Sequence, residues 1–197
     1  MTTRNDIIRI YDVSTDVNRF QYLLPDASTF TTVFDGSSRA KTWTPPSVFS
    51  LKPTREEPDF MDFGMGGNGA VWAIRPEAFQ CAPELHHYLY AAGELLPLNY
   101  NGRNFQLLNV TEVLNALDTE RTTWDYYDDG TRADIEKPAF RSDRLSEQLF
   151  KIPETALSKI YCWEDTLNTA DEFKAYVERH GLTGLTFDLI EATSRPS

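Results

Sequence analysis

The sequence predicts an α+β fold: a mixed, largely antiparallel sheet with a few helices packed on it. Hairpin turn signals recur between short apolar runs, at Asn101-Gly102 and at Asp128-Asp129-Gly130. Such signals outnumber strand–helix–strand patterns, which disfavours a doubly wound parallel sheet. The 197 residues include 12 Phe, 9 Tyr and 4 Trp within an apolar fraction of 41%, enough large side chains for a core without a disulfide or a metal.

Residues 7–13 and 20–24 are apolar runs separated by a polar turn-like segment, so they are expected to form a strand pair. From 26 to 62 the chain is rich in Ser, Thr and Pro and reads as a long irregular segment. Residues 70–74 read as a buried strand. Arg75-Pro76-Glu77 then opens a helix with proline in its first turn; Pro83 interrupts it, and it resumes towards Ala92 and stops at Gly93. Residues 94–98 and 103–110 flank Asn99-Tyr100-Asn101-Gly102 as a hairpin. A second hairpin joins 122–127 to 131–135 through Asp128-Asp129-Gly130.

Residues 160–163 read as a strand. Thr169 and Glu172 have the spacing of a capping box, with Phe173, Tyr176, Val177 and His180 as the apolar stripe of the helix that follows and Gly181 as its left-handed stop. Leu185, Phe187 and Leu189 alternate as the apolar face of a last strand, and 191–197 reads as a frayed tail. No composition break marks a boundary, so residues 1–197 are taken as one domain carrying the irregular insertion.

The net charge of −11 and the pI near 4.7 argue against affinity for nucleic acid, which needs clustered lysine and arginine. A basic partner would instead be steered towards the chain. The N-terminus has no basic stretch leading into an apolar core, and no run reaches the ~18 apolar residues of a membrane span, so neither secretion nor a membrane is expected. Cys81 and Cys162 are far apart and are read as reduced thiols.

Motifs of chemistry are weak. Gly64 to Gly69 fits the letters GxGxxG but neither follows a strand nor opens a helix, as a dinucleotide site requires, and is read as a loop. His86 and His87 point ~100° apart on a helix and so cannot share one ion readily. Asp125, Asp128 and Asp129 lack the spacing of a calcium loop. No cofactor or metal is expected, although scattered carboxylates with His86, His87 or His180 leave a small enzyme open as an alternative.

The succession Leu95-Leu96-Pro97-Leu98, Phe105-Gln106-Leu107-Leu108-Asn109-Val110, Leu117-Asp118, Leu149-Phe150-Lys151-Ile152, Ile160-Tyr161-Cys162-Trp163, Phe173-Lys174 and Gly181-Leu182-Thr183-Gly184-Leu185-Thr186-Phe187 resembles a bacterial immunity-protein family of polymorphic toxin systems. It spans about residues 60–190, with 1–60 weakly matched. The resemblance implies a cytoplasmic antidote that binds a cognate toxin and has no active site to carry over. A toxin acting on nucleic acid would present a basic face suited to an acidic inhibitor. The residues expected to meet it are Trp124, Asp125, Tyr126, Tyr127, Asp128 and Asp129, aromatics and acids on the second hairpin. A solvated hairpin, and an interaction module with no toxin partner, are the readings that compete.

Overall fold

The computed structural model describes residues 7–26, 33–51, 59–65, 71–166 and 171–194. Its strands are β1 (Ile7–Thr15), β2 (Tyr22–Pro25), β3 (Val48–Leu51), β4 (Phe63–Met65), β5 (Val71–Ile74), β6 (Gly93–Tyr100), β7 (Arg103–Val110), β8 (Thr123–Tyr126), β9 (Arg132–Lys137), β10 (Leu149–Phe150), β11 (Ile160–Asp165) and β12 (Leu185–Ser194). Its helices are α1 (Pro76–Cys81), α2 (Leu85–Ala92) and α3 (Phe173–Arg179). Two four-stranded sheets dominate, ordered β10-β11-β1-β12 and β4-β5-β7-β6, and every pairing between these strands is antiparallel. The fold is α+β and strand-rich.

Local chemistry sets several boundaries. Pro76 occupies the first turn of α1, where its missing N–H costs nothing. Asn101 and Gly102, at φ of 50° and 80°, supply the two left-handed residues of the tight turn joining β6 to β7. At Gly184, φ is 101° and an added Cβ would lie 2.2 Å from the carbonyl oxygen of Phe63, so only glycine lets the two large sheets approach there.

The largest core lies between these sheets. Val13, Ile160 and Cys162 from one meet Phe63, Trp72, Ile74 and Leu108 from the other, and Leu89, Phe173 and Tyr176 of the helices close the layer. Burying so many large side chains is the main stabilising term. A second core covers the opposite face of the first sheet, with Ile8, Ile10, Phe150 and Tyr161 under Leu117 and Phe140. A third covers the far face of the second sheet around Leu96, Phe105 and Leu107.

Four expectations are corrected. The runs at 7–13 and 20–24 are strands but not partners: β1 pairs with β11 and β12, while β2 pairs with β3. The irregular segment contains β3, and the described residues 33–47 hold no helix or strand. Glu172 is the residue before α3, in extended backbone, and not the third residue of a helix begun at Thr169, and its carboxylate accepts the Asp165 N–H at 2.7 and 2.8 Å; Thr169 lies outside the described residues. The last strand runs to Ser194 with no frayed end at 191: Glu191 accepts from the Phe140 N–H at 2.7 Å and pairs with Arg121 at 2.6 Å. A β-bulge opposite Ile10 and Tyr11 interrupts its alternation, so Ile190 turns into the second core and Leu189 is left 57% exposed.

Candidate functional site

The hairpin β8–β9 projects from the second core. At its base Trp124 and Ile135 pack on that core, and Arg132 lies 4.5 Å over the Trp124 ring. Arg121 fastens the entry, bonded to Asp118 at 2.8 Å, to Glu191 and to the Phe140 carbonyl. At the tip, Asp129 accepts from the backbone N–H and hydroxyl of Thr131 at 2.9 and 2.6 Å, and these bonds hold its carboxyl below the usual range. Gly130, at φ of 80°, closes the turn as its sequence requires.

Of the six residues expected at an interface, Asp125, Tyr126, Tyr127, Asp128 and Asp129 are exposed together on this hairpin. Trp124 departs from its expected role as an exposed anchor. Trp124 pairs with Ile135 and Tyr126 with Arg132, so Ala133 and Asp134 of β9 face Asp125 alone. That slip adds twist. Trp124, at the base, is half-buried on the second core, whereas Tyr126, nearer the tip, stands in solvent.

Under the hairpin is an open cleft of about 660 Å³, which sequence reasoning missed. One wall is β9, the other is the 3-10 turn Pro153–Thr155 and the loop after it, and the floor is the outer face of the first sheet. Five carboxylates line it, those of Asp12, Asp134, Glu136, Glu154 and Asp188, against the two ammonium groups of Lys137 and Lys159. Lys159 is bonded to Asp12 at 2.9 Å. Ile135, Tyr161 and Ile190 supply apolar surface, and burial pushes the Tyr161 hydroxyl up, so it stays a neutral phenol. The cleft therefore suits a positive group with an apolar stem.

The other candidates fall elsewhere. His86 stacks on Phe79 at 4.2 Å, His180 lies tilted against Tyr176 at 4.3 Å, and none of the three histidines lines the cleft. Among the described residues no group of three or more His, Cys, Asp or Glu is placed to hold a metal. Gly64 and Met65 belong to β4, and the rest of the glycine motif lies outside the described residues. Cys81 is exposed and Cys162 buried, both as free thiols, and burial raises the Cys162 pKa. No described helix is long and apolar enough to cross a membrane. No family model matches the chain, and neither does any curated protein.

Proposed function

We propose that the chain is an immunity protein, which binds a cognate bacterial toxin in the cytoplasm and blocks it by covering its working surface. The observation that carries this reading is the hairpin tip, where Tyr126 and Tyr127 stand 59% and 62% exposed among Asp125, Asp128 and Asp129. Rigid aromatics in solvent beside charge are what protein interfaces use as anchors. The net charge of −11 favours a basic counterpart, such as the nucleic-acid-binding face of a nuclease toxin. The segment resemblance points the same way, and the acidic cleft extends the surface.

The small-enzyme alternative would draw on Asp12 and Asp188, which are paired across β1 and β12 in the cleft. Asp12 is neutralised by Lys159 and Asp188 faces solvent.

Co-expression with the product of the neighbouring gene tests the proposal. Survival of cells making the toxin, with co-purification of the two chains, is expected, and Y126A with Y127A should abolish both. Full protection by that double variant, or substrate turnover by the purified chain, would refute the reading.

A further inference from the structure

An open sheet edge is a template for a further strand, and the two large sheets have four edges. β10 and β4 are short, with two and three residues. β6 is crossed by residues 33–46: the Trp43 indole N–H donates to the Pro97 carbonyl at 2.8 Å, and Glu94 accepts the Arg39 and Ala40 N–H groups. β12 has ten residues, and among the described residues no backbone bond reaches its outer side from Leu185 to Leu189.

The ladder fixes which groups face out. Asp16 donates its N–H to the Gly184 carbonyl at 2.9 Å, and the register continues through Ser14 opposite Thr186 and Asp12 opposite Asp188. Bonded pairs alternate along an antiparallel ladder, so Gly184, Thr186 and Asp188 bond to β1 while the N–H and C=O of Leu185, Phe187 and Leu189 point outward. Leu185 and Phe187 pack on the main core, and Leu189 follows on the same face, 57% exposed, with Thr186 and Asp188 on the other. No proline or lysine blunts this stretch, and the β-bulge falls beyond it.

We propose that this edge pairs with the same edge of a second copy of the chain, antiparallel about a two-fold axis at Phe187. Outward residues must face outward residues, and at that centre all three find partners: Phe187 its own counterpart, and Leu185 and Leu189 each other. Asp188 then meets the Thr186 hydroxyl of the second copy, not a charge. Moving the axis to Asp188 would oppose two carboxylates at the closest spacing of the ladder. Moving it to Thr186 would set Leu189 against Thr183, whose N–H and C=O are already bonded to Asp62 and Phe63. The edge is thus self-complementary in one register. Its pairing is short and joins two copies of net charge −11, so it is weak and is strengthened by salt. It does not depend on the immunity reading.

Sedimentation equilibrium of the full chain tests the pairing. The mass should rise from 22.5 kDa towards twice that value between about 1 µM and about 1 mM, and the rise should come at lower concentration when salt is raised from about 0.05 M to about 0.5 M. L189K, at an exposed position, should keep its melting temperature and raise the midpoint about tenfold or more. Register is read by cross-linking in a C81S background, because Cys81 is exposed. A T186C chain mixed with a D188C chain should oxidise to a mixed dimer, the two Cβ atoms lying ~5 Å apart. Neither chain alone should cross-link, since like positions are diagonal neighbours ~7 Å apart or more.

A mass fixed at 22.5 kDa over that range, association of L189K equal to that of the native chain, or cross-linking of either cysteine chain alone as readily as the mixture would each overturn the proposal. A monomer whose L189K variant loses the toxin would give the edge to a strand of the toxin and overturn the second copy as its occupant.

Discussion

Lys151 is wholly buried, and among the described residues its ammonium has one acceptor, the Phe34 carbonyl at 3.3 Å, with Asp35 nearby. Burial dominates over Asp35 and lowers its pKa from 10.5 to about 8. Between those values the unfolded chain holds a proton that the folded chain has released, so stability rises with pH from about 8 towards 10.5. The whole shift corresponds to ~3 kcal/mol, a penalty present in full below pH ~8. Cys162 and the tyrosines Tyr11 and Tyr161, raised by burial, work in the opposite direction at high pH, so a difference measurement isolates the lysine. K151M should be more stable than the native chain near neutrality, by about 1–3 kcal/mol, and the advantage should vanish as the pH approaches 10.5. Denaturant unfolding across that range decides it; an advantage independent of pH would mean that Lys151 is not the titrating group.

At the scale of elements, two segments outside the two large sheets differ in what holds them. Residues 33–46 have no ladder, yet Glu94 on β6 accepts from the Ser38 hydroxyl, the backbone N–H groups of Arg39 and Ala40, and the Asn109 amide. Burial is the largest single influence on that carboxyl and raises its pKa, but these donors together outweigh it and hold it low. The contribution is thus present above the ordinary glutamate range and lost as the pH falls through the lowered value. E94Q should cost about 1–3 kcal/mol and make the segment cleave first in limited proteolysis; an unchanged cleavage pattern would count against the strap. The β8–β9 hairpin is held by packing instead. W124A should destabilise by about 2 kcal/mol, whereas Y126A and Y127A should leave the melting temperature within a degree or two and act only on partner binding. Such turns were legible because Asn-Gly, Asp-Gly and Pro at a first helical turn act within four residues. The partners of β1 were not: those on β11 lie about 150 residues away and those on β12 about 170 to 190, and no local residue preference encodes a pairing of that span. Trp124 was misplaced for a related reason, since the core it packs on is assembled from distant residues such as Ile8, Ile10, Phe150 and Tyr161. The cleft escaped altogether because its walls come from segments near 12, 135, 154 and 188, which converge only in three dimensions.

For the whole molecule, the consequence of 30 acidic residues against 19 basic ones is kinetic. A net charge of −11 surrounds the chain with a negative potential that reaches about one Debye length, ~10 Å at 0.1 M salt. That field would accelerate encounter with a basic surface but contribute little once the proposed partners are docked, because contacts at the exposed tyrosines would by then be desolvated. Salt should therefore act unequally on the two rates of the proposed complex. Raising it from about 0.05 M to about 0.5 M should slow association tenfold or more and change dissociation by less than about threefold. Y126A should do the reverse, speeding dissociation while association keeps its salt slope. Stopped-flow mixing with the purified toxin separates the cases. Association insensitive to salt would mean that the acidic surface serves solubility alone, and dissociation untouched by Y126A would move the anchor away from the hairpin tip.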